Sequence, residues 1–181
     1  MKLIGLTGGI GAGKSTLCEV ASTMGIGIID TDHLNRQLLS KQDNILKICQ
    51  HFRWEYSSDD NLRARLRQKL LDKGARLYLE ELLHPQIYQC AHDILEQHKG
   101  NQDMRAMMIA LPLVSGDIAR RWTFHRKLTV ECHKILTEQR LIRRYGRNEK
   151  DLCLKLSQIH AAAYSQRQQW AEQTLWNNTQ Q

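Results

Sequence analysis

The sequence is poor in several features that mark specialised classes of protein. It contains only two prolines, aromatic residues make up 6% of it, and its five cysteines lack the CxxC spacing of zinc and redox sites. No apolar run is long enough to cross a bilayer. The first one, Leu3 to Leu6, stops at Gly8 and Gly9 before it reaches the length of a signal-peptide core. We therefore expect a soluble protein of the reducing cytoplasm with no membrane partner.

The composition is otherwise that of a globular protein with an excess of positive charge. Its 181 residues fit one domain, with room for an inserted subdomain. The net charge of +7 predicts attraction to polyanions, whether nucleic acid, a membrane surface or phosphorylated metabolites. The aromatic residues are not interleaved with the basic ones, so no stacking platform for nucleic acid is expected. We expect a monomer or a small homo-oligomer without a nucleic-acid partner.

The first thirty residues have the pattern of a strand, a helix and a second strand. Lys2 to Thr7 is a short apolar run, Ser15 to Met24 has apolar residues at helical spacing, and Ile26 to Ile29 is a second apolar run that leads into Asp30. A unit of this length joins parallel strands by a right-handed crossover. An α/β fold is therefore predicted.

The rest of the chain adds a helical region and three further strands. Leu62, Leu66 and Leu70 recur every four residues, which predicts a helix with one apolar side. The later strands are predicted at Met104–Leu113, Leu128–Cys132 and Thr174–Trp176. We expect one P-loop domain over residues 1–181 with a parallel sheet flanked by helices. Its core spans about 1–34 and 103–181, a helical insertion spans about 35–102, and an arginine-rich lid spans about 138–160.

Residues 8–15, GGIGAGKS, have the spacing of a phosphate-binding loop, G-x-x-x-x-G-K-[ST], between a predicted strand and a predicted helix. Glycines permit positive φ angles and let backbone N–H groups approach phosphates closely. We expect Lys14 to reach the β- and γ-phosphates of a nucleotide and the Ser15 hydroxyl to bind Mg²⁺. The predicted nucleotide-binding residues of the loop are Gly9, Gly11, Ala12, Gly13, Lys14, Ser15 and Thr16.

The remaining motifs favour a small-molecule kinase over other P-loop proteins. A GTPase needs an N-K-x-D run, and the nearest stretch, NEKD at residues 148–151, has the letters in the wrong order. Asp30 and Asp32 supply acids after the second strand and would point the same way if strand geometry persists. One of them would accept the proton of an acceptor hydroxyl and help to hold Mg²⁺. The alternative is that Asp32 caps a helix over His33–Leu38.

A second charged pattern is a row of four arginines on a helix predicted over residues 137–146. Offsets of three, four and seven residues place Arg140, Arg143, Arg144 and Arg147 on one side, with Leu141, Ile142 and Tyr145 on the other. Charges at this spacing often form a solvated face. Four positive charges without intervening acids repel one another, however, and ATP phosphates beneath a closing lid would relieve that repulsion.

Taken in order, these segments resemble dephospho-coenzyme A kinases. The segments that carry the resemblance are Ile4–Thr16 (LTGGIGSGKST in the family), Ile29–Arg36 (D-A-D-x-x-A-R), Leu83–Pro85 (LHP), Leu111–Leu113 (part of PLLFE), Gln139–Arg147 (the lid) and Asn177–Asn178 (D-N-x-G). The chain departs from the family at Phe52-Arg53, where Phe-Gly is usual, at the L-D-R pattern of residues 62–64, and at Gly116, Trp176 and Thr179, which replace an acid, an aspartate and a glycine.

The resemblance implies transfer of the γ-phosphate of ATP to the ribose 3′-hydroxyl of dephospho-coenzyme A, with Mg²⁺. It implies that Asp32 is the base and a metal ligand, that Lys14 is the phosphate lysine, and that Arg143 and Arg147 bind ATP from the lid. It places Arg36, His84 and Pro85 in the region that handles the acceptor. Two alternatives stay open: a divergent kinase with another nucleotide or small alcohol as acceptor, and a catalytically weak regulator that binds nucleotide or coenzyme A.

Overall fold

The computed structural model describes residues 1–56, 59–69, 72–101, 104–111, 121–146, 155, 158 and 161–178. Its strands are β1 (Lys2–Gly8), β2 (Gly27–Asp30), β3 (Ala106–Ala110), β4 (Arg126–Glu131) and β5 (Gln173–Trp176). Its helices are α1 (Lys14–Thr23), α2 (Thr31–Leu39), α3 (Gln42–Phe52), α4 (Asp59–Lys69), α5 (Lys73–His98), α6 (Lys134–Tyr145) and α7 (Tyr164–Trp170).

The five strands form one parallel sheet in the order β2-β3-β1-β4-β5. The strand that leads into the phosphate-binding loop is therefore central, with β3 on one side and β4 on the other. Ligands of open parallel sheets bind at the carboxyl ends of the strands. The loop begins at the middle of that edge, and the predicted parallel sheet flanked by helices is confirmed.

The chain folds as two units. The first comprises Met1–Asp30 and Gln97–Gln181, and the second, Thr31–Glu96, is inserted between these two segments. The sheet belongs to the first unit, where α1 covers it through Ala21 and the strands contribute Leu6, Met108 and Val130 to a shared apolar cluster. Apolar burial of this kind is the main favourable term that holds the sheet and the helix together.

The second unit is helical and has its own apolar cluster. The buried members of this cluster are Ile45, Ile48, Cys49, Leu62, Leu66 and Leu79. Leu62 and Leu66 lie on one side of α4, as their four-residue spacing predicts, while Leu70 lies outside the described residues. A buried polar pair completes the unit, because the side-chain amides of Asn44 and Gln86 each donate a hydrogen bond to the other, at 3.1 and 3.0 Å. Buried amides paired in this way avoid the cost of unsatisfied polar groups.

Several element boundaries differ by a few residues from the sequence-based expectation. The strand predicted at Met104–Leu113 is shorter, since β3 spans Ala106–Ala110, and Pro112 and Leu113 lie outside the described residues. The helix predicted at residues 137–146 begins earlier, at Lys134. Within the described parts of the chain, no helix combines the length and the apolar character that a bilayer crossing requires.

The cluster of the helical unit generates a stability prediction. We expect Ile48→Ala to lower the free energy of unfolding by about 2–5 kcal/mol, because Ile48 is fully buried and its removal leaves a cavity. Leu46→Ala is the matched control on the same helix, since Leu46 is 48% exposed, and it should cost less than about 1 kcal/mol. Urea unfolding followed by circular dichroism measures both. Equal losses would show that Ile48 contributes no more than a surface residue.

Candidate active site

The loop between β1 and α1 has the backbone geometry of a phosphate cradle. Gly11 and Gly13 have φ angles of 72° and 104°, which side chains other than glycine adopt only with strain. Lys14 begins α1, and its ammonium donates a hydrogen bond to the Gly8 carbonyl at 3.1 Å. The Lys14 side chain therefore reaches from the start of α1 back to the residue at which the loop begins. The N-terminus of α1 adds backbone amides that have no hydrogen-bond partner within the helix, and a partial positive charge, at the same place.

Asn177, just after β5, is hydrogen-bonded to the loop. Its side-chain amide donates to the Ala12 carbonyl at 3.1 Å, and its backbone N–H donates to the Glu131 carbonyl at 2.9 Å. A Cβ atom on Gly13 would overlap this amide, so only glycine fits at that position. The close approach of Asn177 therefore requires Gly13 for space as well as for its φ angle.

Arg140 of α6 contacts the loop from a second direction. Its guanidinium donates to the Gly11 carbonyl at 3.0 Å and to the Asn177 carbonyl at 3.3 Å. Thr137 and Leu141 lie beside Gly11. If Gly11 carried a Cβ atom, the nearest atoms of Thr137 and Leu141 would be 3.4 and 3.6 Å from it. Helix α6 thus packs on the loop through Thr137 and through Arg140 and Leu141 of the predicted lid segment.

This arrangement corrects the prediction of a single arginine side. Arg140 and Leu141 were expected on opposite sides, but both reach Gly11, because consecutive helix residues are only about 100° apart and an arginine side chain is long. Arg143 and Arg144 are exposed. Arg147 lies outside the described residues. The four arginines therefore differ in their surroundings, and Arg140 bonds to protein carbonyls.

A buried ion pair lies next to the loop, at the end of β4. The Glu131 carboxylate accepts hydrogen bonds from the Arg167 guanidinium at 2.8 and 3.2 Å, and from the Thr129 hydroxyl at 3.2 Å. Glu131 is 5% exposed and Arg167 2%. The charged groups of this pair are the side-chain atoms nearest to Gly9. If Gly9 carried a Cβ atom, it would lie 3.6 Å from the Arg167 guanidinium and 3.7 Å from the Glu131 carboxylate. The pair therefore packs directly against the backbone where the loop begins.

A cavity of about 400 Å³ opens beside the loop in the same unit. Its walls combine the loop, the end of β4, α6, the segment around α7 and the end of β5. The lining residues are Gly9, Ile10, Ala12, Glu131, Cys132, Lys134, Thr137, Glu138, Gln158, Ala161, Tyr164, Arg167 and Trp176. The size lies in the range of small-molecule sites. A ligand phosphate on the loop would thus have room for an attached organic group.

The two candidate acids differ from the strand-based expectation. Asp30 ends β2, but α2 begins at Thr31, so Asp32 lies in the first turn of a helix. The condition for Asp30 and Asp32 to point the same way, strand geometry through Asp32, is therefore not met, because the backbone turns helical at Thr31. The alternative, that Asp32 caps a helix beginning at His33, is also wrong, because α2 begins at Thr31 and already includes Asp32. An acid in the first helical turn is favoured by the helix dipole.

Asp30 lies close enough to α1 to affect a thiol there. Burial is the main cause that raises the pKa of Cys18 to about 11, the Asp30 carboxylate raises it further, and the Lys14 ammonium opposes the shift. Cys18 is therefore protonated near neutral pH and is not a nucleophile. Asp30 and Lys14 therefore both lie within electrostatic range of Cys18 in the first unit.

The predicted acceptor residues lie on helices of the second unit. Asp32 and Arg36 are four residues apart on α2, a spacing that puts them on one side of the helix. His84, half-buried, and Pro85, exposed, lie inside α5, which continues past the proline to His98. The structure thus places the predicted loop residues in one unit and the predicted acceptor residues on two helices of the other.

Comparison with known proteins identifies the family. Residues 2–181 match the family model described as dephospho-CoA kinase. The chain belongs to the dephospho-CoA kinase family. Enzymes of this family carry out the final step of coenzyme A synthesis, so the predicted class, a small-molecule kinase, is confirmed.

Individual dephospho-CoA kinases match over different lengths. The enzyme of Aggregatibacter actinomycetemcomitans is 30% identical over 186 residues, covering 97% of this chain and 84% of that enzyme. The enzyme of Shewanella oneidensis is 34% identical over 146 residues, covering 78% and 69%. The match to the enzyme of Hydrogenovibrio crunogenus is shorter, with 35% identity over 118 residues that cover 64% of this chain and 59% of that enzyme.

Solved structures show the same fold. The TT1252 protein of Thermus thermophilus superposes with a TM-score of 0.73 at 22% identity, covering 98% of this chain and 89% of that one. The dephospho-CoA kinase of Campylobacter jejuni superposes with a TM-score of 0.60 at 21% identity, covering 99% and 90%. The predicted P-loop kinase fold is therefore confirmed.

Three residues of the site were not predicted as site residues from the sequence. Glu131, Arg167 and Asn177 contact the loop or each other, yet none has a recognisable local motif that reveals its partner. Asn177 was noted as part of an ending typical of dephospho-CoA kinases, without a role. For Glu131, the available signal was an acid near the end of the strand predicted at Leu128–Cys132. Nothing in the sequence around Arg167 pointed to its pairing with Glu131.

The ion pair of this dephospho-CoA kinase family member generates a second prediction. We expect Glu131→Gln to lower the free energy of unfolding by about 3–5 kcal/mol, because it leaves the Arg167 charge buried without its counter-charge. The matched control is Glu172→Gln, since Glu172 is half-exposed and lies 3.9 Å from Arg126 at the surface. It should cost less than about 1 kcal/mol. Thermal and urea unfolding measure both, and a loss from Glu131→Gln no larger than that of the control would contradict the assignment.

Proposed function

We propose that this chain transfers the γ-phosphate of ATP to the ribose 3′-hydroxyl of dephospho-coenzyme A. The observation that carries the proposal is the family match over residues 2–181, together with an intact phosphate-binding loop. The cavity beside the loop supports it, because a nucleotide needs room for its sugar and base next to its phosphates. The net charge of +7 favours two substrates that are both anionic.

The loop residues bind and orient the phosphate donor in this proposal. Backbone amides from Gly9 to Thr16 and the helix N-terminus surround the β-phosphate, and the Lys14 ammonium spans the β- and γ-phosphates. Arg143 and Arg147 are proposed to approach the triphosphate from the lid segment. These groups stabilise negative charge as the bond between the γ-phosphorus and the β–γ bridging oxygen lengthens.

Asp32 is the proposed base, and Arg36, His84 and Pro85 are proposed to position the acceptor. The 3′-hydroxyl oxygen forms a bond to the γ-phosphorus as the bridging bond to ADP breaks. The hydroxyl proton passes to the Asp32 carboxylate, which leaves ADP and the 3′-phosphorylated product. The helical unit that carries Asp32 also carries the other acceptor residues, so one rigid element would orient the acceptor and accept its proton.

Mg²⁺ is the proposed cofactor, and the oxygen donors of this chain fit it. Among the described residues, no group of three or more histidines, cysteines, aspartates or glutamates could hold a metal ion alone. Mg²⁺ needs no such cage, since it usually binds one or two protein oxygens together with substrate phosphates and water. Ser15 at the start of α1 and Asp32 would supply those oxygens. When bound, the ion neutralises charge on the β- and γ-phosphates.

The test of this function is a coupled assay of ADP release. Release should require both dephospho-coenzyme A and Mg²⁺, and the product should carry one additional phosphate by mass spectrometry. Release with another alcohol or nucleotide, and none with dephospho-coenzyme A, would instead support a kinase with a different acceptor. Tight ATP binding without product after long incubation would support a regulator.

A substitution tests the proposed base. We expect Asp32→Asn to lower kcat about 10²- to 10⁴-fold, because the amide cannot accept the proton, while ATP binding measured by calorimetry stays close to that of the unmodified chain. Asp43→Asn is the matched control, since Asp43 occupies the first turn of the neighbouring helix α3, and it should leave kcat unchanged. If Asp30→Asn abolishes turnover and Asp32→Asn does not, the base is Asp30.

A further inference from the structure

Trp176 is a large aromatic side chain that core packing does not explain. It ends β5 and is 55% exposed, although its neighbours along the sheet are buried or half-buried. It lines the cavity beside the loop, and its ring centroid lies 5.7 Å from that of His133. An indole held at the mouth of a cavity is a surface on which a flat ligand group can stack.

The backbone fixes Trp176 relative to the loop. In the parallel register of β4 and β5, Trp176 is paired with Glu131, which lies beside Gly9. The next residue, Asn177, bonds to the Ala12 carbonyl. Trp176 is therefore held on both sides by residues that contact the phosphate-binding loop. A group attached to a phosphate in the loop would reach the indole through the cavity.

The charged side chains that line the cavity lie close to one another in pairs of opposite charge. The carboxylate of Glu138 lies 3.9 Å from the Lys134 ammonium, and Glu131 and Arg167 satisfy each other. The amide of Gln158 offers both a donor and an acceptor, so it can pair with the edge of adenine or of guanine. Among these residues, stacking on Trp176 is therefore the interaction through which the cavity can hold a base.

We propose that Trp176 binds the nucleobase of the phosphate donor by stacking, and that the site in consequence accepts ATP and GTP with similar affinity. The inference rests on the proposed function only in requiring that the loop binds a nucleoside triphosphate. Stacking tolerates different bases because every base has a π face, whereas edge recognition by hydrogen bonds rejects a wrong group by about 10⁴-fold or more. Trp176 thus determines the base preference of the site, and stacking on it makes the site accept more than one base.

The expected size of the effect follows from the strength of one stacked base. We expect Trp176→Ala to weaken MgATP and MgGTP binding by the same factor, between about 5-fold and 150-fold. Trp176→Phe should retain most of the affinity, because a smaller aromatic ring still stacks. Inorganic tripolyphosphate has no base, so its affinity should be the same for the unmodified chain and for Trp176→Ala.

Isothermal titration without the acceptor measures these affinities on the full chain. Tyr56→Ala is the control, since Tyr56 is a 60% exposed aromatic of the other unit that does not line the cavity, and it should change none of them. The inference is overturned if Trp176→Ala leaves nucleotide affinity unchanged, if it weakens tripolyphosphate equally, or if the affinities of the unmodified chain for ATP and GTP differ by more than about 10-fold. Absence of binding by tripolyphosphate and by both nucleotides would overturn the proposed function as well, which separates the two failures.

Discussion

The phosphate-binding loop depends on a hydrogen-bonding constraint on its carbonyl groups. Amides that turn toward a ligand leave their carbonyls facing the protein, and a carbonyl removed from water needs a donor. The donors come from three directions: Lys14 to the Gly8 carbonyl, Arg140 to Gly11, and Asn177 to Ala12. Because these donors belong to α1, to α6 and to the segment after β5, three separate parts of the chain support the shape of the loop.

This constraint ties the beginning of the chain to its end. Arg140 is 129 residues from Gly11 in sequence, and Asn177 is 165 residues from Ala12. Such contacts require β4 to lie beside β1 and β5 to lie beside β4. The buried pair of Glu131 and Arg167 then discourages other positions of β4 and α7, because a shift of either element would separate two charges that are shielded from water.

The sequence predicted those features that local patterns determine. Glycine spacing predicted the loop, apolar runs predicted the strands, and the repeat of Leu62 and Leu66 predicted the buried side of α4. Features that depend on a distant partner were not predictable. The pairing of Glu131 with Arg167 is one such feature, since many acids and arginines of this basic chain have similar surroundings in sequence. The direction of the Asp32 side chain depends on whether Thr31 ends the strand or begins the helix. Local propensity does not decide between these two conformations of Thr31.

The short link between β2 and α2 matters for the proposed chemistry. The transition state of phosphoryl transfer is loose, so the protein contributes mainly through position and charge. A carboxylate on a long loop would have to be ordered in each catalytic cycle, at a cost in backbone entropy. Here α2 begins at Thr31, which is 1% exposed, directly after the strand residue Asp30. Asp32 therefore lies in the first turn of a helix, on a regular backbone, as the proposed role through position requires.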